Sequence, residues 1–325
     1  MFGYHNIDIN STKQFFIDNL NTVICSFMDK EYILGMSIDS NRKKAVLKSI
    51  SELLERRILH NVQECSQIIG KSLIDYEEKI ICSYAQEEMK YFYDSNGMAC
   101  HTNANSSVEN AISEFIERQS LLYRYLTKTG LYILPNRLIS KYIPTYFSDF
   151  SFYNISLVEN FYVILCIGVK NKQKYISLGS SIDFFKALKA AISELYQFYH
   201  FYNQSYSKQE NKNLDLTYAS IFHSIETKDF LEAYAFLDKI PYLESETQLF
   251  HKATYHSVIS ELNQEWEINP YCFAFNIDQA FITKIIDFNW FPTLLPKEMD
   301  LYKLNKLERI FKRSIDKECN FIPFP

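Results

Sequence analysis

Glycine is scarce in this sequence, since its 325 residues include only seven glycines. They are too widely spaced to form GxGxxG, GxxxxGKS or GxxxxGKT, so the Rossmann dinucleotide motif and the Walker A loop are both excluded. The zinc-protease pattern HExxH is also absent. An enzyme with this sequence that used a nucleotide would need another way to hold the phosphate groups.

The sequence also lacks an excess of basic residues. Lys and Arg total 34 against 39 Asp and Glu, which gives a net charge of −5. A broad basic surface is therefore not expected, and nucleic acid is a poor candidate partner. The seven cysteines are an odd number without a CxxC pair, which favours reduced thiols over a disulfide framework or a zinc ribbon.

Long hydrophobic runs are missing as well. The longest, residues 161–169, is far too short to span a bilayer and is typical of a buried strand. Residues 1–11 have neither the basic nor the apolar region of a secretory signal. We therefore expect a cytoplasmic protein that does not associate with membranes.

Hydrophobic periodicity predicts both helices and hairpins along the chain. Residues 90–97 are typical of a strand that leads into a turn, 131–135 of a short strand, and 161–179 of a hairpin around NKQK. Residues 214–265 are predicted to be mostly helical, and residues 276–316 to mix strand and helix. The long helices are predicted over residues 11–30, 43–70, 106–128 and 183–203.

The chain contains no linker rich in Pro, Gly or Ser, so we predict a single domain over residues 1–325. Long amphipathic helices with hairpins between them are typical of an α+β layered domain rather than of alternating βαβ units. Residues 34–204 carry the motifs described below. Residues 205–325 are predicted to form a helical or mixed C-terminal part that ends in a PxP tail.

Three segments share one internal pattern, in which a glycine precedes a glutamate by a similar distance. The segments are GMSIDSNRKKAVLKSISELLER (35–56), GMACHTNANSSVENAISEFIER (97–118) and GSSIDFFKALKAAISELYQ (179–197). The pairs are Gly35 and Glu52, Gly97 and Glu114, each 17 residues apart, and Gly179 and Glu194, 15 residues apart. Three of seven glycines at similar offsets indicate an internal repeat.

Each predicted helix has a stripe of small and acidic residues. Small residues lie seven and three positions before the glutamate, and a second polar residue lies three positions after it. These positions share one helix face. The small residues are Ala45, Ser49, Ser107, Ala111, Ala187 and Ala191, and the polar pairs are Glu52 and Glu55, Glu114 and Glu117, and Glu194 and Gln197. Because small residues allow close approach, we expect the polar pairs to face a space between helices rather than bulk water.

One ExxE pair alone is usually a solvated helix face, but three copies favour a confined site. Crowded carboxylates are unfavourable unless cations neutralise them. Mg²⁺ prefers oxygen ligands and is often held by a few carboxylates together with nucleotide phosphates. The pattern therefore predicts a Mg²⁺–triphosphate site built from helices. The polar turns at Ser95, Asn96 and Gly97 and at 177–181 would donate hydrogen bonds to phosphate.

These motifs resemble those of the YcaO family. The resemblance lies in KSISELLER, in SNGMACHTN with AISEFIERQ, in SLGSSIDFFKALKAAISELYQ and in the terminal IPFP. It covers residues 35–200 and the last few residues, and it implies a YcaO-like α+β fold with three ATP-site helices and an antiparallel sheet. The EFIERQSLLYRYL segment and the PFP end are most similar to the cyclodehydratase subunit of microcin-type thiazole/oxazole synthetases.

The resemblance implies an ATP- and Mg²⁺-dependent enzyme that modifies a ribosomally made precursor peptide. A Cys, Ser or Thr side chain attacks the preceding amide carbonyl, ATP phosphorylates the resulting oxyanion, and loss of phosphate leaves a thiazoline or oxazoline ring. The implied partners are the precursor peptide, an E1-like subunit that binds its leader peptide, and a flavin-dependent dehydrogenase that oxidises the rings. Thioamide or amidine formation, and a non-catalytic scaffold subunit, are the alternatives.

The resemblance also assigns roles to individual residues. Arg56 and Arg118 would support phosphate or the carboxylates, and Pro325 would bring its free carboxylate into the site as a catalytic group. Ser95, Asn96, Gly97 and Gln197 would contact ATP. The implied Mg²⁺ ligands are Glu52, Glu55, Glu114, Glu117 and Glu194.

The sequence departs from the family pattern at two places. Family members often have a Gly-Lys-Gly-like turn before the first helix, where this chain has SIDSNRKK. Residues 42–44 either replace the missing lysine or form a solvated helix start, and we favour the solvated start. Ser106 lies where the family often has an acid, with Glu109 nearby. The neighbouring Cys100 and His101 fit a buried or turn-lining role better than a Cys/His nucleophile.

Overall fold

In the computed structural model, the ladders between the described strands are antiparallel, and the strands, alone or in runs of two or three, are interspersed with helices along the chain. The structure describes residues 7–13, 20–28, 32–62, 64–143, 147–205, 218–249, 252–277 and 279–325. The strands are β1 Ile7–Lys13, β2 Asn21–Met28, β3 Tyr32–Asp39, β4 Gln67–Ser72, β5 Glu78–Cys82, β6 Met98–His101, β7 Tyr132–Ile133, β8 Ser151–Asn154, β9 Tyr162–Lys170, β10 Gln173–Ser181, β11 Tyr271–Ile277 and β12 Ala280–Ile286. The helices are α1 Arg42–Val62, α2 Gln86–Met89, α3 Ala104–Thr127, α4 Asn136–Ile139, α5 Phe184–Ser205, α6 Tyr218–Ser224, α7 Thr227–Tyr234, α8 Tyr255–Trp266 and α9 Leu301–Phe311.

The chain forms two compact units, each made from two stretches of sequence. The first unit contains Met1–Phe115 and Asn263–Thr293, and the second contains Ile116–Leu262 and Leu294–Pro325. Helix α3 runs through residues of both. The mixture of helices and antiparallel sheets confirms the predicted α+β class, whereas the prediction of a single domain over residues 1–325 stays a prediction.

The first unit contains two sheets. One has the order β1-β2-β3, and the other has the order β5-β4-β11-β12-β6. Helix α1 packs against β2, β3 and β6, and its buried residues join a core that includes Phe92, Phe273 and Ile282. Burial of this apolar face, at about 25 cal/mol per Å² of apolar surface, stabilises the helix far more than its intrinsic propensity does.

The second unit is built on the sheet β10-β9-β8-β7, with α5 packed against β10 and β9. Strand β9 is almost continuously buried, which confirms the buried strand predicted at 161–169 and its hairpin partner β10. Aromatic rings fill the space under α5, where Phe147 contacts Tyr196 and Tyr199. Part of the high Phe and Tyr content therefore lies in this core.

Two of the predicted elements are wrong, and the helix predicted over residues 43–70 is too long. The described part of segment 11–30 contains the end of β1 and all of β2 rather than a helix, and residues 14–19 and 29–30 lie outside the described residues. Its apolar residues match a helical period by chance. Strand β2 pairs with β1 and β3, and the local sequence does not show this pairing. Helix α1 ends at Val62, with β4 following, and residues 90–92 form a 3-10 turn instead of a strand.

Candidate functional site

The structure confirms an internal repeat, in which a strand, a tight turn and a long helix follow one another three times: β3–α1, β6–α3 and β10–α5. Each helix begins after a capping side chain whose Oδ1 accepts the backbone N–H three residues on, at 3.0–3.2 Å. The residue two positions before each cap accepts the cap's own N–H. The caps are Asn41, Asn103 and Asp183, and each lies 11 residues before the first glutamate of its helix.

The capping residues show that the third repeat aligns with the other two differently from the alignment based on glycines. The Met36 N–H donates to Glu52 Oε2 at 2.7 Å, and the Leu178 N–H donates to Glu194 Oε2 at 2.7 Å, each over 16 residues. The counterpart of Gly35 and Gly97 is therefore Ser177, whereas Gly179 lies two positions later. Matching the glycines aligned the wrong residues, and the capping residues would have given the right register.

The glycines and small residues bring each helix close to its own preceding strand. A Cβ at Gly35 would lie 2.0 Å from the Ser49 carbonyl oxygen, and a Cβ at Gly179 would lie 2.1 Å from the Ala191 nitrogen. The predicted close approach is thus confirmed, but it occurs between helix and strand rather than between helices. Gly97 has a further reason to be glycine, because its φ of 69° is unfavourable for other residues.

The second glutamate of α1 reaches the strand of the next repeat. Glu55 Oε1 accepts the backbone N–H of Cys100 on β6 at 2.6 Å. Burial raises the pKa of Glu55 well above its usual value, and the charges of Glu114 and Glu52 raise it further. Glu55 and Glu114 therefore form a carboxylate pair within the first unit, in which simultaneous ionisation is unfavourable.

An equivalent pair lies in the second unit. Burial raises the pKa of Glu117 to about 7, and Glu194 raises it while Arg118 lowers it. The Ser180 side chain hydrogen-bonds to Glu117, and Ser180 occupies the same place in β10 that Cys100 occupies in β6. In both units, the second glutamate of one helix thus lies beside the first glutamate of the next helix.

The glutamates of the repeat form two pairs, Glu55 with Glu114 and Glu117 with Glu194, and Glu52 also acts on Glu55. Over the described residues, no group of three or more His, Cys, Asp or Glu side chains has an arrangement that could hold a metal ion. A pair of carboxylates is still a suitable donor set for Mg²⁺, which commonly uses one or two carboxylates and completes its shell with water and phosphate oxygens. Gln197 is half-buried on α5, one turn after Glu194.

The two predicted arginines lie beside these carboxylates. Arg56 donates to Glu52 Oε1 at 2.5 Å and to the Leu34 carbonyl at 2.7 Å. The Arg118 Nε lies 4.0 Å from Glu117 Oε1, and its guanidinium lies 4.6 Å from the centre of the Phe324 ring. Arg118 therefore joins the Glu117 carboxylate to the C-terminal tail.

The PxP tail has defined contacts in the second unit. The Ile322 N–H donates to the Leu294 carbonyl at 3.2 Å, and the Tyr234 hydroxyl donates to the Pro323 carbonyl at 3.0 Å. Phe324 is buried, and Pro325 follows it as a half-buried residue. The tail thus lies next to Arg118 through Phe324, and the catalytic role of Pro325 stays a prediction.

The predicted nucleotide turn is closed by its own hydrogen bonds. Asp94 accepts both the backbone N–H and the side-chain amide of Asn96, and the Met98 N–H donates to the Ser95 carbonyl. Lys284 Nζ donates to the carbonyls of Asp94 and Asn96. Sequence reasoning missed Asp94 and Lys284. The signal for Lys284 was a lysine within the apolar run FITKII of strand β12.

The remaining candidates fit structural roles. Residues 42–44 are exposed, and the Arg42 side chain donates to Ser11 Oγ, which confirms a solvated helix start. His101 Nδ1 accepts the Asn103 N–H, and burial raises the pKa of the Cys100 thiol to about 12. Cys100 is therefore a buried residue of β6, and His101 at the end of this strand contacts the turn before α3, which confirms the predicted buried or turn-lining role. Ser106 lies in the first turn of α3, where its N–H donates to the Asn103 cap.

The part of the chain that contains α3 and α5 matches a known protein family. The family model described as YcaO cyclodehydratase, binding ATP and Mg²⁺, matches residues 78–267, which is more than half of the chain. The chain therefore belongs to the YcaO family. A comparison with curated protein sequences gave no match.

Solved structures share the fold of the whole chain. A chain of the E. coli microcin synthetase McbBCD complex with pro-MccB17 bound has a TM-score of 0.74 and 16% identity, over 98% of this chain and 96% of that chain. YcaO from Methanopyrus kandleri bound with AMPPCP and Mg²⁺ has a TM-score of 0.67 and 10% identity, over 87% and 85% of the two chains. A heterocyclase in complex with substrate and cofactor has a TM-score of 0.66 and 9% identity, over 98% of this chain and 55% of that chain. At these identities the likeness shows the fold alone.

None of the helices in the described part of the chain combines the length and the apolar character that a bilayer crossing requires.

Proposed function

We propose that this protein is an ATP- and Mg²⁺-dependent cyclodehydratase that forms thiazoline or oxazoline rings in a ribosomally made peptide. The observation that carries the proposal is the equivalent placement of two carboxylate pairs, Glu55 with Glu114 and Glu117 with Glu194. Family membership supports the use of ATP and Mg²⁺, and the microcin synthetase with its bound pro-MccB17 supports a peptide substrate.

The residues present suit Mg²⁺ bound with a triphosphate. Half-buried or buried carboxylates with raised pKa values are unfavourable alone, and a divalent cation removes that cost. The donor set is made of oxygen atoms, as Mg²⁺ requires. Glu52, Glu55, Glu114, Glu117 and Glu194 would hold Mg²⁺, and Gln197 would contact the nucleotide.

Once bound, Mg²⁺ would offset the negative charge of the phosphates during transfer. The protein would supply orientation and further positive charge. Arg56 and Arg118 would approach phosphate oxygens from their positions beside Glu52 and Glu117. The turn at Ser95, Asn96 and Gly97 would border the nucleotide, held in shape by its internal hydrogen bonds.

The tail would place a proton acceptor near the peptide. The contacts of residues 322–324 hold the end of the chain beside Arg118, and a carboxylate at Pro325 would take the proton from the attacking Cys, Ser or Thr side chain. A leader-binding E1-like subunit would deliver the precursor peptide, and a flavin-dependent dehydrogenase would oxidise the product rings. We also expect the protein to act in the cytoplasm.

The test is a reconstitution with ATP, Mg²⁺, the E1-like subunit and a small peptide encoded beside this protein. Loss of one water mass per modified residue supports cyclodehydration. Replacement of oxygen by sulfur when sulfide is added would indicate thioamide formation instead, and replacement by an amine nitrogen would indicate an amidine. An assembled complex without phosphate release or mass change would indicate a scaffold, which the exposed residues 42–44 at the altered first turn would then explain.

A matched pair of variants on α3 tests the carboxylate assignment. Glu114→Gln removes one charge from the Glu55 pair, whereas Glu109→Gln changes an exposed glutamate on the same helix. We expect ATP turnover to fall by about 100-fold or more in Glu114→Gln, as when a group that stabilises transition-state charge is removed, and to stay unchanged in Glu109→Gln. Equal turnover in the two variants would contradict the assignment.

A further inference from the structure

Strand β12 carries a buried lysine close to the proposed site. The Lys284 side chain is 1% exposed, and its Nζ donates to the Asp94 carbonyl at 2.8 Å and to the Asn96 carbonyl at 2.6 Å. The same nitrogen lies 3.7 Å from the Asp94 carboxylate. Lys284 thus holds both ends of the turn that leads into Gly97.

The charges around Lys284 come from the carboxylates of the first unit. Burial lowers the pKa of Lys284, while the negative charges of Asp94, Glu114 and Glu55 oppose that effect and favour the protonated lysine. A buried ammonium group costs several kcal/mol unless it is paired and hydrogen-bonded. Lys284 meets both conditions through the Asp94 carboxylate and the two carbonyls. The charges of the proposed Mg²⁺ ligands Glu55 and Glu114 add to the effect of Asp94.

We propose that Lys284 is a positioning residue that couples the 94–97 turn to the Glu55–Glu114 pair. It fixes the turn through two carbonyls, and its charge offsets part of the charge of the two carboxylates. This inference rests on the proposed function, because it requires that the turn and the pair serve a Mg²⁺–nucleotide complex. A lysine that served folding alone would leave nucleotide affinity unchanged.

Lys174 is a matched control within the same chain. Its side chain is 3% exposed, and its Nζ donates to the carbonyls of His223 and Ile225 in the second unit. Burial lowers the pKa of Lys174. Lys174 therefore shares the burial and the two carbonyl contacts of Lys284, but it does not share the proposed coupling to metal-binding carboxylates.

The experiment compares wild type with Lys284→Met, Lys284→Arg and Lys174→Met. The dissociation constant of Mg²⁺·AMPPCP is measured by calorimetry well below each melting temperature, which is determined separately. Because Lys284 Nζ makes two charge-assisted hydrogen bonds to the turn, we expect Lys284→Met to weaken binding by about tenfold or more. Lys284→Arg should recover part of that loss. Lys174→Met should lower the melting temperature and leave the dissociation constant within about twofold of wild type.

Each result supports or overturns a specific statement. Wild-type protein that fails to bind Mg²⁺·AMPPCP would overturn the proposed function and this inference together. Tight binding by wild type with equal affinity in Lys284→Met would overturn the inference alone. If Lys284→Met does not fold, Asp94→Ala serves as the second variant, because it removes both side-chain contacts to Asn96. An unchanged dissociation constant in Asp94→Ala would then overturn the coupling of the turn to the ligand.

Discussion

At the scale of single residues, burial determines what the acidic side chains can do. Glu117 is 8% exposed and lies beside Glu194, so its pKa of about 7 is well above the usual value of 4.5. Such a carboxylate is partly protonated near neutral pH when no cation is present. Binding of Mg²⁺ would release this proton, and metal binding should therefore become tighter as the pH rises.

The raised pKa predicts that Glu117 makes a contribution to the stability of the metal-free protein that is lost as the pH increases. Between pH 4.5 and 7, folded Glu117 retains a proton that unfolded Glu117 has already lost, so its contribution to the free energy of unfolding falls with rising pH. The expected contribution is about 2–3 kcal/mol. Urea unfolding in EDTA at pH 5 and pH 8 measures it, and Glu117→Gln should remove that part of the difference.

The exposed Glu109 provides the control for this measurement. Glu109→Gln should keep the wild-type difference between pH 5 and pH 8, because its side chain is solvated on the same helix. Other acidic groups, such as Asp39 with its lowered pKa, contribute in the opposite direction, so only the comparison between variants is decisive. If Glu117→Gln and wild type showed the same pH dependence, Glu117 would not have the raised pKa.

At the scale of secondary-structure elements, much of the repeat could be predicted from the sequence. The predicted helices 106–128 and 183–203 agree closely with α3 and α5, because their apolar stripes are long and regular. Segment 11–30 has a similar spacing of apolar residues, but its described part pairs as strands β1 and β2, since contacts with distant residues override local preference. The alignment of the third repeat by its glycine was wrong for another reason. Gly179 allows close packing, but it lies two residues after Ser177, which is the position that corresponds to Gly35.

The contact between β10 and α5 predicts a large cost for a methyl group at Gly179. The added Cβ would lie 2.1 Å from the Ala191 nitrogen and 2.3 Å from the Ala187 carbonyl oxygen, and backbone atoms cannot move aside without shifting the helix. We expect Gly179→Ala to lower the free energy of unfolding by about 3 kcal/mol or more. Chemical denaturation followed by circular dichroism measures this change.

Gly130→Ala is the matched control for Gly179→Ala. Its Cβ would lie 2.7 Å from Ile240 Cδ1, which is the flexible end of a side chain and can rotate away. We expect a change within about 1 kcal/mol, partly offset by the lower entropy of the unfolded chain. Comparable losses of stability in Gly130→Ala and Gly179→Ala would show that the contact between β10 and α5 is not the reason for the cost at Gly179.

At the scale of the whole molecule, the candidate site depends on residues that are far apart in sequence. Lys284 and Asp94 are 190 residues apart, and their contact follows from β12 pairing with β6 in the five-stranded sheet. No spacing rule links them, so the sequence could suggest the glutamates of the repeat but not this cation. Helix α3 contributes Glu114 to the first unit and Glu117 to the second.

We predict that each of the two carboxylate pairs contributes to the stabilisation of the protein by Mg²⁺·nucleotide. A ligand at 100 times its dissociation constant should stabilise the folded state by about 2.7 kcal/mol. AMPPCP with Mg²⁺ should therefore raise the melting temperature of wild type by several degrees, an effect that EDTA should abolish. Glu55→Gln in the first unit and Glu194→Gln in the second should each reduce the shift. Because both substitutions relieve carboxylate repulsion, the metal-free variants should melt at or above the wild-type temperature. A full ligand-induced shift in either variant would show that its pair does not take part in binding.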